Sequence, residues 1–201
     1  AHSLKTPLAV MRATLPGETQ QGTISTEIDR MNGIIEHQMK RAAASGGALI
    51  GQAPVDIAQV APELRAALLR VYAHKDLLLE LDIAPASLFV GDRGDLTEVL
   101  GNLLDNACKW CHARVRLGTR NHDTARVRQR LVITIEDDGP GIAPEDRPRV
   151  LERGVRADES VPGHGLGLAM VRDTVDLYGG SLEVDESPLG GARFTLHLPG
   201  R

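Results

Sequence analysis

The sequence predicts an α+β protein in two parts: an N-terminal helical hairpin over residues 1–45 and, after a linker over 46–53, a mixed sheet covered by helices on one face over 54–201. Three observations predict it. Apolar residues in the first forty-five positions recur in alternating steps of four and three, the seam of packed helices. From Pro54 onward, strand-like and helix-like patterns succeed one another without an internal repeat. Hydrophobic residues make up 42% of the 201 and aromatics only 2%, so aliphatic side chains must build one sizeable core.

In the hairpin, Leu4, Leu8, Met11 and Leu15 define a first helix. After Pro16-Gly17, Ile24, Ile28, Met31, Ile35, Gln38 and Ala42 define a second. Two helices cannot bury such a seam alone, and a second copy completing a four-helix bundle is the simplest partner, so a homodimer through the hairpin is expected. Ser45-Gly46-Gly47 ends the second helix and opens the linker. A helix follows over Ile57–Ala73, then strands over Leu77–Ile83 and Ser87–Val90. Asp92–Cys111 is a helix with Asp92 or Asp95 as its cap. Val115–Thr119 and Val127–Glu136 form a strand pair around a polar turn near Asn121-His122-Asp123. Residues 143–162 are polar, carry Pro144, Pro148 and Pro162, and hold at most one short helix near Pro148–Arg153; a stretch of this length between glycine motifs predicts a functional lid. Leu166–Tyr178 is the last helix. Ser181–Asp185 and Arg193–Leu198 are strands flanking a Gly190-Gly191 hairpin.

Net charge is −4, which gives no support for nucleic-acid binding. No apolar run reaches membrane-spanning length and no signal peptide is visible. The chain starts at Ala1, apparently mid-helix, so a piece cut from a longer protein is expected. Cys108 and Cys111 stand at i and i+3 of a helix; a lone pair cannot complete a four-ligand zinc site, and two core positions are the expectation.

Three motifs carry the chemistry. Gly163-His164-Gly165-Leu166-Gly167-Leu168 opens a helix, where glycines let backbone N–H groups crowd an anion and the helix N-terminus adds unpaired donors. Asp137-Asp138-Gly139-Pro140-Gly141-Ile142 follows a strand. A carboxylate fixed there can accept from an exocyclic amine, selecting adenine over guanine, and the glycines let the backbone turn beneath a flat base. Asn102-Leu103-Leu104-Asp105-Asn106-Ala107 lies on a helix whose Glu98, Asn102, Asn106 and Lys109 share one face, with Leu96, Val99, Leu100, Leu103, Leu104 and Ala107 on the other. Asparagine oxygens are hard neutral ligands suited to a Mg²⁺ that bridges nucleotide phosphates, and Lys109 adds a positive charge. In this order the three point to an ATP site that is not a P-loop. Arg153 and Arg156 in the lid are placed to reach terminal phosphates. His2 lies off the Leu4/Leu8 stripe, facing solvent, with Thr6 one turn later and Pro7 bending the chain; an exposed imidazole is a capable nucleophile for a phosphoryl group.

With these residues in place, the pattern resembles the sensor histidine kinases of two-component systems. His2-Ser3-Leu4-Lys5-Thr6-Pro7-Leu8 looks like their H box, Asn102–Ala107 their N box, Asp137–Ile142 their G1 box and Gly163–Leu168 their G2 box, with particular similarity to the PhoQ-type branch. The resemblance implies a dimerisation and phosphoacceptor hairpin, its first helix truncated here, followed by a Bergerat-type ATP-binding domain. It implies His2 as phosphoacceptor and Thr6 as the residue positioning water for dephosphorylation of the regulator. Asn102 and Asn106 would hold Mg²⁺ and phosphates, Asp137 would bind the adenine amine, and Lys109 and Trp110 would flank the nucleotide. Gly139, Gly141, Gly163, Gly165 and Gly167 would shape the pocket and the lid hinges, with Ile142, Arg156, His164, Leu166 and Leu168 completing the site. Departures are Ser3 where an acidic residue usually follows the histidine, Leu151 where a phenylalanine often anchors the lid, Trp110 in place of a tyrosine and His164 in place of a glutamine.

The function expected is ATP-dependent autophosphorylation of His2 and transfer to an aspartate of a response-regulator receiver domain, in the cytoplasmic region of a membrane-bound parent. Catalysis would rest on positioning and electrostatic stabilisation, and regulator dephosphorylation is a further activity of such chains. Two other readings stay open. One is an ATPase of the gyrase or MutL type, which needs a carboxylate base where Asn102 stands; an amide cannot take a proton. The other is a nucleotide-sensing module that has lost catalysis.

Overall fold

The computed structural model describes residues 53–124, 127–151 and 167–200, at 122–124 and 127–129 through the backbone alone. The expected hairpin and linker, with His2 and Thr6, and the segment 152–166, with Arg156, Gly163, His164, Gly165 and Leu166, lie outside the described residues.

Five strands form one mixed sheet in the order β2-β4-β5-β7-β6. They are β2 (Leu78–Asp82), β4 (Arg114–Thr124), β5 (Val127–Asp137), β6 (Ser181–Glu186) and β7 (Ala192–Pro199). β2 runs parallel to β4 and every other pair is antiparallel. A two-residue β1 (Val55–Asp56), not expected from the sequence, pairs with β3 (Leu88–Phe89).

Alternation decides the faces. Val115 and Leu117 of β4, Leu131, Ile133 and Ile135 of β5, and Phe194, Leu196 and Leu198 of β7 are buried in one core. Three helices supply its other half: α1 (Ile57–Val71) with Ile57, Val60 and Ala61, α2 (Arg93–Trp110) with Leu96, Val99, Leu100, Leu103, Leu104 and Ala107, and α3 (Gly167–Leu177) with Val171 and Val175. Only Phe89 and Phe194 contribute aromatic bulk among the fully buried side chains, as the composition requires. The opposite sheet face carries a row of alternating charge. Arg116 lies 3.3 Å from Glu80 and 3.6 Å from Glu136, and Arg193 lies 2.9 Å from Glu136. The charges on that face are therefore balanced within the sheet.

The caps follow sequence logic. Asp56 accepts from Ala58 N to start α1, and Asp92, rather than Asp95, starts α2 by accepting from Asp95 N at 3.0 Å. Asp95 is instead buried and accepts from Tyr178 Oη at 2.8 Å. The strand pair corrects the sequence reading. Arg120 to Thr124 continue β4, with a register shift between His122 and Thr124, so the polar tract near 121–123 is strand and not turn. Asn121 gains partners there by donating to Pro85 O and Ala86 O, which a polar end exposed to solvent permits. Of the short helix expected near 148–153, the described residues form a 3-10 turn at Arg149–Leu151, and 152–153 lie outside them.

Candidate functional site

α2 presents one polar face. Glu98, Asn102, Asn106 and Lys109 are all partly exposed along it, while the six apolar residues on its other side are buried. Asn102 Nδ2 donates to Glu98 O at 2.9 Å, which fixes the amide and leaves Oδ1 as the outward acceptor. That oxygen faces the first residue of α3: a methyl placed on Gly167 would lie 3.2 Å from Asn102 Oδ1. The helix N-terminus and the carboxamide therefore meet, with Leu168 one residue further and partly buried against the core. Lys109 Nζ sits 5.5 Å from the centre of the Trp110 ring at the end of the same face.

Asp137 ends β5 as a buried carboxylate. Its Oδ1 accepts from Gly139 N at 2.9 Å and from Ala192 N at 3.1 Å, and its carbonyl accepts from Gly191 N at 3.1 Å. Both bonds held by Oδ1 leave Oδ2 as the carboxylate's remaining acceptor. Burial pushes the pKa of Asp137 upward against the lowering effect of those two N–H groups. Gly141 has φ +74°, the left-handed region, which lets the chain double back toward Gly191. Gly139 is required for a different reason: a β-carbon there would lie 2.5 Å from Trp110 O, so the end of α2 and the turn after β5 touch through backbone. Ile142 follows, partly buried, and its carbonyl accepts from Arg147 Nε at 3.2 Å.

These contacts set Asn102 against Gly167 and Trp110 O against Gly139, with Asn106 and Lys109 between them on the same face of α2, and Asp137, Gly139 and Gly141 on one turn that Ile142 follows. The structure also shows residues that the sequence reading passes over. A β-carbon on Gly191 would overlap Asp137 Oδ1 and stand 2.5 Å from Gly139 N, so this glycine belongs to the carboxylate corner and not merely to a hairpin. Asp138 Oδ1 accepts from His112 N, Ala113 N and Arg114 N at 2.9, 3.1 and 3.0 Å. Burial is the largest single influence and raises its pKa, but these N–H groups together outweigh it and hold the carboxyl below the usual range. Lys75 caps the far end of α2. The doubled Gly190-Gly191 and the doubled Asp137-Asp138 were the available signals for the first two. Nothing local marks Lys75.

Cys108 and Cys111 are free and buried, as expected of core positions. Burial pushes the Cys108 thiol up to about 12, the opposite of a reactive or metal-binding thiolate. Among the described residues no three His, Cys, Asp or Glu side chains gather as metal ligands. The carboxamides of α2, with Asn102 Oδ1 turned outward beside a helix N-terminus, fit a hard divalent cation that takes its other ligands from water and phosphate.

A mixed sheet under three helices, with a carboxylate corner, a carboxamide face and a helix N-terminus converging, defines an ATP-binding domain without a P-loop. The chain belongs to the histidine kinase-, DNA gyrase B- and HSP90-like ATPase family, whose profile matches residues 91–201. Among its relatives, the sensor protein PhoQ of Escherichia coli (strain K12) is 40% identical over 203 residues, covering 97% of this chain and 41% of that protein. The virulence sensor histidine kinase PhoQ of Salmonella typhimurium (strain 14028s / SGSC 2262) is 39% identical over 204 residues, with the same coverage. The chain spans about two fifths of the length of these relatives. Two solved structures are similar. The mycobacterial sensor histidine kinase MprB matches at 36% identity and TM-score 0.61, over 74% of this chain and 97% of that one. Full-length ShkA in complex with AMPPNP matches at 28% identity and TM-score 0.65, over 99% of this chain and 44% of that one.

Proposed function

We propose that this chain is the catalytic region of a PhoQ-like sensor histidine kinase, with residues 54–201 binding ATP and residues 1–45 forming the dimeric phosphoacceptor hairpin. The single observation that carries the proposal is the meeting of Asn102 Oδ1 with the N-terminus of α3 at Gly167. It sets an acceptor suited to a cation beside donors suited to a phosphate. Asp137 Oδ2 takes the adenine amine, with Gly139, Gly141 and Ile142 forming the floor beneath the base. Lys109 and Trp110 flank the sugar-phosphate side. Asn102 and Asn106 would hold Mg²⁺, which would supply neutralisation of the charge that builds on the phosphates.

In this reading Arg156, Gly163, His164, Gly165 and Leu166 are further residues that bind the nucleotide. His2 Nε2 attacks the γ-phosphorus; a nitrogen–phosphorus bond forms as the bond to the ADP oxygen breaks. The phosphoryl group then passes to an aspartate of a receiver domain, and Thr6 positions water for hydrolysis of that aspartyl phosphate, which releases inorganic phosphate. Among the described residues no helix is long and apolar enough to cross a membrane. The region is proposed to face the cytoplasm, with membrane attachment through segments of the parent outside this chain.

The test is labelling with γ-labelled ATP in a chain extended N-terminally through the whole first helix. Acid-labile, alkali-stable label is expected in the wild type and none in His2→Ala; unchanged labelling in the variant refutes the assignment. Nucleotide binding without any label in the wild type would favour a sensing module.

A further inference from the structure

Lys75 belongs to none of the motifs above. It lies just beyond α1, half-buried, and its Nζ donates to three backbone carbonyls: Cys108 O at 2.9 Å, Lys109 O at 2.7 Å and Cys111 O at 3.3 Å. These belong to the last turn and cap of α2, where carbonyls have no partner within the helix and the dipole is negative. One ammonium with three hydrogens therefore meets three acceptors. The Tyr72 ring lies 5.8 Å from the same Nζ, and Tyr72 Oη donates to Asp105 Oδ1 at 2.9 Å one turn earlier on α2.

The residues that follow are gripped from the other side. Asp138 accepts the N–H groups of His112, Ala113 and Arg114. Residues 108–114 are thus held by a cation on their carbonyls and by an anion on their N–H groups. Asp138 directly follows Asp137, and Lys109 and Trp110 leave the chain inside this clamped segment. Trp110 O meanwhile abuts Gly139.

We propose that Lys75 is a positioning residue for nucleotide binding: it fixes the carboxyl end of α2 so that Lys109 and Trp110 form a rigid wall against the Asp137–Gly139 corner. The inference rests on the ATP-site reading above. It says that part of the affinity for nucleotide resides in a side chain that touches no nucleotide, acting by preorganisation.

Trp110 is the single tryptophan of the chain, so its fluorescence reports this wall directly. The experiment compares the wild type with Lys75→Met, which keeps the aliphatic stem and removes the donors, and Lys75→Arg, which restores charge. Tyr178→Phe serves as a control, losing its bond to Asp95 at the opposite end of α2. Trp110 emission, iodide quenching, thermal midpoint and affinity for Mg-ATP are measured on each folded protein. Lys75→Met is expected to expose Trp110 to iodide and to weaken ATP binding about tenfold, with Lys75→Arg recovering most of it. Tyr178→Phe is expected to lower the thermal midpoint while leaving Trp110 and the affinity unchanged.

Wild-type affinity and Trp110 signal in Lys75→Met would overturn the role, as would an equal loss of affinity in Tyr178→Phe, which would mean that general stability is being read. If Lys75→Met does not fold, Lys75→Gln, which keeps a neutral donor, carries the same comparison. A wild type that binds no ATP defeats the underlying reading. A wild type that binds ATP beside an unaffected Lys75 variant defeats this inference alone.

Discussion

Replacing Asp137 by asparagine separates stability from recognition. Oδ1 of Asp137 is committed to Gly139 N at 2.9 Å and Ala192 N at 3.1 Å. Two buried N–H groups need an acceptor, so the asparagine must turn its oxygen toward them and its NH₂ to where Oδ2 stood. In the fold, the two bonds persist but lose their charge assistance, a cost of about 1–2 kcal/mol. Against that stands the burial of an ionised carboxylate. Burial raises the Asp137 pKa, and a raised folded-state pKa means that its contribution is present below the unfolded carboxylate pKa and lost as pH climbs through the folded value. At neutral pH the burial of the charge is therefore a cost that asparagine removes. The two effects oppose, and the net change in stability is expected within about 1 kcal/mol, or about 4 °C in thermal midpoint.

For the nucleotide nothing offsets the loss. In the proposed site the acceptor that would face the adenine amine becomes a donor, so a charge-assisted bond is replaced by two donors face to face. The cost is about 2–4 kcal/mol, roughly 30- to 1,000-fold in affinity. Calorimetric titration with ATP and GTP, beside a thermal melt, checks both halves. The expected result is a nearly unchanged melt, a large loss of ATP affinity and a narrowed preference for ATP over GTP. Unchanged ATP affinity in a folded Asp137→Asn protein refutes the adenine assignment, and loss of folding shows that the carboxylate is chiefly structural.

Gly191→Ala should destabilise by about 3–5 kcal/mol, because the added carbon meets only backbone and a fixed carboxylate. Gly190→Ala, at φ +106° with nothing within 4 Å, should cost only about 1–2 kcal/mol of backbone strain; equal urea midpoints for the two would contradict the packing argument. A thiol reagent should find neither Cys108 nor Cys111 in the native protein and both after unfolding, and fast native labelling would mean that the end of α2 opens readily. Asp138 has a lowered folded-state pKa, so its contribution is present above the unfolded carboxylate pKa, about 3.9, and fades as pH falls through the folded value. The urea midpoint of Asp138→Asn should accordingly fall below that of the wild type near neutrality and converge with it in acid; a gap that widens in acid would show the sign to be wrong.

Periodicity made the buried architecture legible. The apolar side of α2 could be read at steps of three and four, and β7 at steps of two, because each element buries one face. The polar end of β4 was hidden for the converse reason: the ladder bonds are made by backbone, and the exposed side chain of Asn121 carries no strand signature. In the candidate site, residues within one motif were legible, since Asp137, Gly139 and Gly141 act on a single turn. Gly191 and Lys75 were not. Ala192 N reaches Asp137 across a separation of 55 residues, and Lys75 reaches the end of α2 across 33 to 36. Such roles belong to the fold and leave no mark on the residues beside them.

The same geometry bears on where the phosphoryl group goes. A domain of this family that hydrolyses ATP needs a proton acceptor on the helix that faces the phosphates. Two of the three carboxylates of α2 stand off this face, and the third shares it one turn before the amide. Asp95 is buried at the start of the helix on Tyr178 Oη, Asp105 lies on the exposed side with Tyr72 Oη, and Glu98 sits one turn before Asn102. Opposite Gly167 stands an amide whose nitrogen is already spent on Glu98 O and whose oxygen, as an amide oxygen, cannot hold a proton at neutral pH. The helix can orient a triphosphate and its cation, but it gives water no base. In the function proposed above, such a site would hold ATP for a nucleophile from outside the domain. The imidazole of His2 needs no strong base to attack phosphorus, and this is the physical reason to favour the proposed transfer to His2 over hydrolysis.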